Sequence, residues 1–369
     1  MAAVASDLPG LDVDVVARLL ASSVPMLAVA APGQEADRAA LLGVDAVVSA
    51  APPEGVLSAI ADLAVGAPRR AADGAQAETA PRRDGHGPVV AVWGPAGAPG
   101  RSTIALGLAA AAAAGGTESM LVDVDVYGGA TAQMLAVLDE VSGVLAAARA
   151  ASTGSLDDTA LAAAARQVAA RLRVLTGLPR ADRWAALRPA ALRQVLDQCR
   201  QAARLVVLDC GFSIEQDEEL VFDTAAPRRN GATVTSLEEA DLVLVVGSAD
   251  PLGLARLARA RFELRDAAPG AQVRLVVNRV RPGLGWSRED VSQTLLRAIG
   301  EVPFAYLPLD QSAVDACWIH GGTLTESAPG SPLARAMTEL AGLVGTELGL
   351  ASGPAHAAAR RRVRFGQRR

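Results

Sequence analysis

Residues 89–108 read VVAVWGPAGAPGRSTIALGL, and this stretch decides the fold. An unbroken apolar run ends at Trp93, a loop rich in glycine, proline and alanine follows, and a helical pattern opens near Ser102. A continuous apolar run without alternating polar residues is typical of a strand that is buried on both faces. The stretch therefore predicts a buried strand, a tight loop and a helix, in that order.

The loop has the composition that phosphate binding requires, and residues 94–102 are called the phosphate loop below. Small residues let backbone N–H groups wrap around an anion without interference from Cβ atoms, and a helix N-terminus adds partial positive charge. The hydroxyl of Ser102 stands where a Mg²⁺ ligand is expected. The alternative is that Gly97, Pro99 and Gly100 only form a tight turn.

The loop matches the pattern GxxxxGK[ST] imperfectly. Pro95 takes the first glycine position and Arg101 takes the lysine position. Arginine keeps the positive charge, but its guanidinium is a planar fork rather than a point charge. We therefore expect nucleotide binding to be retained more readily than hydrolysis, with Arg101 as the charged group nearest the chemistry.

Acidic residues end the next two apolar runs along the chain. Asp123 and Asp125 close the segment SMLVDVD, and Asp209 closes RLVVLD with Gly211 just after it. Ligands bind at the carboxyl ends of parallel strands, so these side chains are expected to converge on the phosphate loop. We predict that Asp123 orients Mg²⁺ through water, that Asp125 positions an attacking water, and that Asp209 is a metal-binding Walker B residue. A single aspartate in such a place would otherwise be an ordinary strand stop.

The rest of the sequence predicts an α/β protein with a doubly wound, mostly parallel sheet. Further apolar runs occupy residues 241–247, 273–280 and 304–307, with helical stretches between them. Ser236 and Glu239 have the spacing of a capping box, which predicts a helix start there. Four zones follow from composition: a receiver-like domain (1–65), a disordered linker (66–87), a nucleotide-binding domain (88–350) and a basic tail (351–369).

Composition excludes several classes of protein. The 369 residues contain no lysine, and the net charge of −5 gives no overall nucleic-acid or membrane signature. Cys199, Cys210 and Cys317 include no CxxC pair, which argues against a zinc site, an iron–sulfur carrier or a disulfide framework. Without a signal-peptide pattern or a long apolar run, we expect a cytoplasmic protein.

Several motifs in order resemble the MinD/ParA family of dimerising ATPases, and most closely its CpaE/TadZ branch, which positions pilus machinery at a cell pole. They are the phosphate loop, VDVD, VVLDCG, SLEEADLVLVV, LVVNRV and LPLDQSAVDA, which together span roughly residues 88–345. The resemblance implies ATP and Mg²⁺ as cofactors. It implies that Asn278 reads the adenine edge and that Pro308 and Asp310 line the base. The phosphates would be held by Gly97, Ala98, Pro99, Gly100, Arg101, Ser102 and Thr103.

One departure from the family bears on activity. The family carries a signature lysine early in the loop, and Ala96 stands in its place. With that charge missing and Arg101 at the other lysine position, two charges that stabilise the transferred phosphoryl group are lost or altered. Arg228, Arg229 and Asn230 follow Asp209 in a loop that would either supply charge to the phosphates or remain solvated.

The expected function is that of an ATP-binding spatial organiser with weak or absent hydrolysis. It would localise pilus, secretion or septum machinery through nucleotide-dependent homodimerisation, at a polar or septal position. The alternatives are an inactive pseudo-ATPase scaffold and a ParA-like DNA-partitioning ATPase; DNA is not favoured. The arginine-rich tail (351–369) would permit peripheral membrane contact or remain solvated.

The first 65 residues resemble the second half of a response-regulator receiver domain. The phospho-acceptor position falls on Ala5, the switch hydroxyl on Ala30 and the lysine position on Ala50, so the usual phosphorylation chemistry is not expected. The first two strands of such a domain are missing, so either a partner completes the sheet or the start codon has been assigned too late. A docking role is the natural expectation, with a packing remnant as the alternative.

Overall fold

The computed structural model describes residues 1–49, 52–66, 86–97, 99–137, 141–215 and 227–350. Ala50, Ala98, most of the predicted linker and the basic tail lie outside these ranges, so the predictions made for them stay predictions. None of the helices in the described ranges combines the length and the apolar character that a transmembrane segment needs.

The N-terminal residues form a small parallel sheet with helices between its strands. Its strands are β1 (Ala2–Ala5), β2 (Met26–Val29) and β3 (Ala46–Val48), paired in that order. Its helices are α1 (Val13–Ala21), α2 (Gln34–Leu41) and α3 (Pro53–Gly66). Strands and helices therefore alternate in this segment, and its resemblance to a receiver domain stays a prediction.

A second sheet carries the phosphate loop. Its strands are β4 (Val89–Trp93), β5 (Ser119–Val124), β6 (Arg166–Ala169), β7 (Leu172–Leu175), β8 (Leu205–Cys210), β9 (Leu242–Ser248), β10 (Val273–Val280) and β11 (Ala305–Pro308). They lie in the order β11-β10-β9-β4-β8-β5-β7-β6, and all neighbours are parallel except β6 and β7. The predicted fold class, α/β with a mostly parallel sheet, is confirmed.

Helices cover both faces of this sheet. The helices are α4 (Arg101–Ala114), α5 (Thr131–Met134), α6 (Gly143–Ser152), α7 (Asp158–Ala164), α8 (Pro189–Ala202), α9 (Gly231–Glu238), α10 (Pro251–Ala267), α11 (Arg288–Ile299), α12 (Gln311–His320), α13 (Leu324–Ser327) and α14 (Pro332–Glu347). One face packs against α4 and α14, and the other packs against α6, α8 and α10. The buried strands explain the continuous apolar runs in the sequence.

Helix α4 is built almost entirely from small side chains. Its residues Ile104–Ala113 are all buried, and most of them are alanine. Gly107 lies against the side chain of Met337 on α14, where a Cβ atom would come within 3.0 Å of the sulfur. The small residues let α4 approach both the sheet and α14 closely.

One predicted helix start is wrong. The helix before β9 begins after Asn230 rather than at Ser236, and the Ser236 hydroxyl donates to the Ala232 carbonyl one turn back within it. The spacing of Ser236 and Glu239 was therefore a coincidence inside and just after a helix. A capping box does form elsewhere, where Ser287 and Asp290 exchange hydrogen bonds at the start of α11.

The N-terminal segment shares a core with the larger sheet. Its buried residues Leu11, Val13 and Val16 belong to the same apolar cluster as residues of α8. Arg38 fastens this arrangement, because its guanidinium donates to the carbonyls of Ser6, Leu11 and Thr153. One face of the receiver-like segment is thus occupied within the chain itself.

Replacing Arg38 with methionine is expected to lower the free energy of unfolding by about 1–3 kcal/mol, because partly buried carbonyls lose their charged donor. Urea-induced unfolding would measure this change. Arg18→Met is the matched control, since Arg18 donates only to a carbonyl of its own helix and is exposed. Equal stabilities of the two variants would contradict the role assigned to Arg38.

Candidate functional site

The phosphate loop is shaped by close backbone approaches that only glycine permits. Gly97 has φ +108° and Gly100 has φ +98°, both in the left-handed region. A Cβ atom on Gly94 would overlap the carbonyl oxygen of Val246 on β9. The loop leaves β4, lies against β9 and enters α4 with its amides at the helix N-terminus, which is the geometry of an anion cradle.

Arg101 spans the loop instead of projecting freely from it. Its Nε donates to the Cys210 carbonyl (3.1 Å), and Nη1 donates to the carbonyls of Gly94 (3.3 Å) and Pro95 (3.2 Å). Its Nη2 lies 3.9 Å from Oδ2 of Asp125, and the side chain is 12% exposed. The guanidinium therefore joins the ends of β4 and β8 and faces a carboxylate.

Asp209 is a fully buried carboxylate with no hydrogen-bond partner for either oxygen. The register of β8 places it beside Val92 of β4 and Asp123 of β5. Burial, and then the charge of Asp123, raises its pKa well above the usual range, while the nearby Ser102 hydroxyl lowers it. A carboxylate buried in this way is costly to retain, and the Ser102 hydroxyl and the Arg101 guanidinium are the polar groups nearest to it.

Asp123 is equally buried but well bonded. It accepts from the Thr131 hydroxyl (2.7 Å) and from the backbone amides of Thr131 (3.3 Å) and Asp125 (3.1 Å). Burial raises its pKa to about 6, and these hydrogen bonds act in the opposite direction. Cβ atoms on Gly129 or Gly177 would come within about 2.7 Å of its carboxylate. Its oxygens therefore hold the loop after β5, and its predicted role toward Mg²⁺ stays a prediction.

Asp125 lies at the mouth of the site. Its Oδ1 accepts from the amides of Tyr127 (2.9 Å) and Gly128 (3.3 Å), while Oδ2 faces Arg101. It lines a cavity of about 360 Å³, together with residues 126–130, Gln133 and residues 178–181. None of the residues that line this cavity belongs to the phosphate loop, and the predicted role of Asp125 toward a water stays a prediction.

Asn278 is brought to the phosphate loop from the other side. Its amide nitrogen donates to the Pro99 carbonyl (2.7 Å), and a Cβ atom on Gly100 would lie 2.5 Å from that nitrogen. The next residue, Arg279, has φ +60°, which is a strained conformation for a residue with a side chain. Asn278 therefore supports the helix end of the loop, and its predicted contact with a base stays a prediction.

Three other predicted site residues, Pro308, Asp310 and Thr103, contact neighbouring parts of the fold. Pro308 pairs with Val280 at the outer strand β11. Asp310 caps α12 and accepts from Ser312, Ala313 and Leu333. Thr103 lines a small apolar crevice with Met134 and Trp318.

An aromatic cluster that the sequence did not reveal joins the two loops beside Asp125. The Arg229 guanidinium lies 4.5 Å from the Tyr127 ring centre and 5.8 Å from that of Trp184. The Tyr127 hydroxyl donates to Asn230 (2.7 Å), and the Tyr127 ring packs against Phe212. Arg229 is thus neither directed at the phosphate loop nor simply solvated.

Ser102 and Asp209 fit the needs of a Mg²⁺ ion that accompanies a nucleotide. Mg²⁺ typically takes one or two protein oxygens and fills its other positions with waters and phosphates. Within the described ranges, no group of three or more His, Cys, Asp or Glu side chains is arranged to hold a metal alone. The unpartnered Asp209 beside a hydroxyl at a helix N-terminus is consistent with such a shared site.

Comparison with known proteins gives the fold. No protein-family model matches the chain, and no curated protein sequence matches it either. Solved structures do match. A ParA family ATPase from Chlorobium tepidum superposes with a TM-score of 0.58 at 17% identity, covering 69% of this chain and 98% of that one.

Two further structures agree with this result. MinD from Pyrococcus horikoshii with Mg-ADP gives a TM-score of 0.55 at 16% identity, over 71% of this chain and 98% of that chain. MinD in the MinC:MinD complex from Aquifex aeolicus gives 0.51 at 15% identity, over 70% and 95%. The chain has the fold of the MinD and ParA ATPases. Each match covers nearly all of the relative and about 70% of this chain.

The glycine beside Asp123 provides a test of its packing. Gly129→Ala is expected to lower the free energy of unfolding by about 1–3 kcal/mol, because the added methyl group would overlap a buried carboxylate. Gly128→Ala is the control, since nothing lies within 4 Å of its Cβ position. Denaturant unfolding of both variants would measure the difference. A Gly129→Ala variant as stable as the control would contradict the packing described.

The two buried carboxylates differ in their hydrogen bonds, which predicts different pH behaviour. The raised pKa of Asp209 means that the folded state holds its proton to higher pH than the unfolded state does, so its burial costs stability as pH rises. Asp209→Asn should therefore be more stable than the parent at neutral pH, and the difference should grow as the pH rises from about 5 to about 8.

Thermal and urea unfolding across that pH range, without nucleotide or divalent cation, would measure the gain. Asp123→Asn is the contrasting variant: because an amide nitrogen replaces one carboxylate oxygen, at least one of the three donors loses its acceptor, which offsets the gain from removing a buried charge and should leave this variant less stable than Asp209→Asn. A pH-independent difference between Asp209→Asn and the parent would contradict the assignment.

Proposed function

We propose that the chain is an ATP-binding spatial organiser of the CpaE/MinD type. It would localise pilus, secretion or septum machinery through nucleotide-dependent dimerisation, with weak or absent hydrolysis. The observation that carries the proposal is the meeting of Ser102, at the end of a glycine-shaped loop, with the unpartnered carboxylate of Asp209. Both groups are those that a Mg²⁺-bound triphosphate would use.

Each part of the site has a task in this proposal. The amides of the phosphate loop and the N-terminus of α4 bind phosphate oxygens. Ser102 and Asp209 hold the cation that accompanies the nucleotide, and that cation offsets phosphate charge. Asp125, at the mouth of the cavity, is positioned to orient a water. Asn278 supports the helix end of the loop on the side where the base is predicted.

Slow turnover follows from where the positive charges lie. Arg101 is bonded to the carbonyls of Gly94, Pro95 and Cys210, and its charge is shared with Asp125. Ala96 offers no charge at all. The Arg101 guanidinium must break these hydrogen bonds before it can stabilise a phosphoryl group during transfer, and the cost of breaking them reduces its contribution to catalysis.

The dimer and the partner remain part of the proposal. Among the structural neighbours, MinD of Aquifex aeolicus forms a complex with MinC, which is a cell division protein pairing. The N-terminal segment, docked on α8, presents its remaining surface for a protein partner of this chain. A scaffold that binds ATP without turning it over is the second candidate, favoured by the engaged state of Arg101.

Mg-ATP at about 1,000 times its dissociation constant should raise the free energy of unfolding by about 4 kcal/mol. A thermal-shift titration measures this, and phosphate release measured in parallel separates the ATPase from the scaffold. Ser102→Ala should remove most of the Mg²⁺-dependent part of the shift, while the exposed Ser155→Ala control should match the parent. Absence of any shift with ATP would overturn the proposal.

Arg101→Ala tests the account of slow turnover. The variant should lose nucleotide affinity, because the loop carbonyls of Gly94 and Pro95 lose their donor and the site loses a charge. If instead phosphate release increased, the guanidinium would be shown to hinder the reaction.

A steep dependence of DNA retention on salt in gel-shift titrations would favour the ParA-like alternative.

A further inference from the structure

Arg256 lies directly against the phosphate loop, although it is remote in sequence. A Cβ atom on Gly97 would overlap Nη1 of Arg256 and would lie 3.4 Å from its Cζ. The guanidinium is therefore in contact with the backbone of the loop at a position where only glycine leaves room for it. Helix α10, which carries Arg256, begins at the carboxyl end of β9, the strand beside β4.

The backbone around Arg256 is fixed by close packing. Leu254 and Leu257, on either side of it, are buried. Leu257 packs onto Gly247 of β9, where a Cβ atom would come within 2.7 Å of the leucine side chain. The preceding residue of β9, Val246, contacts Gly94 at the start of the loop. These contacts hold α10, β9 and the loop in one arrangement, which fixes the backbone of Arg256 beside the loop while its side chain stays exposed.

Arg256 differs from the other arginines of its helix. Arg259 pairs with Glu263 (2.6 Å), Arg261 pairs with Glu301 (2.8 Å), and Arg265 lies over the Phe262 ring. Among the described residues, Arg256 has neither an ion pair nor a hydrogen bond. The acidic residue at the helix start, Asp250, is committed to Ser248 and to the amide of Gly253.

An unpaired guanidinium beside a loop of backbone amides concentrates positive charge without a counter-charge. Like charges and aligned dipoles in such contact are unfavourable unless an anion joins them. Arginine binds phosphate oxygens through paired N–H donors, which makes a phosphate group the matching ligand. The chain also lacks lysine altogether, and Ala96 offers no cation within the loop itself.

We propose that Arg256 is a nucleotide-binding residue that contacts the terminal phosphate of ATP from α10, supplying the cation that position 96 lacks. The inference rests on the proposed ATP site. Asn278 touches the helix end of the loop at Pro99 and Gly100, on the predicted base side. Arg256 touches Gly97, nearer the strand end. A polyphosphate that runs from the base side across the loop reaches Arg256 last.

The test compares the binding of Mg-ATP and Mg-ADP to the full-length chain by calorimetry. Arg256→Met should weaken ATP binding by about 10- to 100-fold, the range expected for a lost charge-assisted hydrogen bond, and ADP binding by less than about threefold. Arg256→Lys should recover part of the ATP affinity. Arg259→Met, on the same helix but paired with Glu263, should bind both nucleotides as the parent does.

Each outcome decides something different. If Arg256→Met binds ATP as tightly as the parent, the inference is wrong and the proposed ATP site stands. If ATP and ADP weaken equally, Arg256 does not contact the terminal phosphate, and the inference is overturned in that form. If the parent itself binds no ATP, the proposed function fails first. Unfolding temperatures without nucleotide should not fall in Arg256→Met, since the side chain is exposed and unpaired.

Discussion

The parallel pairing of β4, β8 and β5 is the constraint on which the rest of the structure depends. Their register sets Val92, Asp209 and Asp123 side by side, so the phosphate loop and two carboxylates emerge at one edge of the sheet. Because both faces of these strands are covered by helices, neither carboxylate is accessible to solvent. The sheet therefore creates the site and also buries two carboxylates next to each other, which is costly when they are charged. Hydrogen bonds offset part of this cost at Asp123, whereas neither oxygen of Asp209 has a hydrogen-bond partner.

Asp123 and Asp209 lie side by side but have different surroundings. The loop after β5 is folded around Asp123, with Gly129 and Gly177 in contact with the carboxylate. Asp209 has no such enclosure and is left for a ligand or a cation. In the same way, Arg101 is absorbed into the backbone of the loop, while Arg256 is left unpaired beside it. Asp123 and Arg101 are therefore partly structural residues, whereas Asp209 and Arg256 have no such contacts.

The central strands were predictable because a strand buried on both faces has a continuous apolar run. The bounds of β4, β5 and β10 agree with the prediction, and β8, β9 and β11 are displaced by about one residue. The short strands β6 and β7 were missed because neither has such a run, and β7 contributes the turn that brings Gly177 to Asp123. Ser236 was misread because side-chain spacing alone does not show where a helix begins. Arg256 was not predicted, since one arginine on an amphipathic helix carries no signal of the loop that it reaches.

The alanine content of α4 has a consequence for how this protein tolerates change. Alanine has no rotamers to lose, so ordering the alanine positions of this helix costs almost no side-chain entropy, while the helix N-terminus is held by the hydrogen bonds of Arg101 and Asn278. At these alanine positions there is almost nothing to truncate, so a substitution there leaves little cavity. The same positions are sensitive to added atoms: an extra methyl group between α4 and its neighbours would push the helix axis outward and carry Ser102 away from Asp209. Substitutions at the alanine positions of this helix are thus limited mainly by increases in side-chain volume.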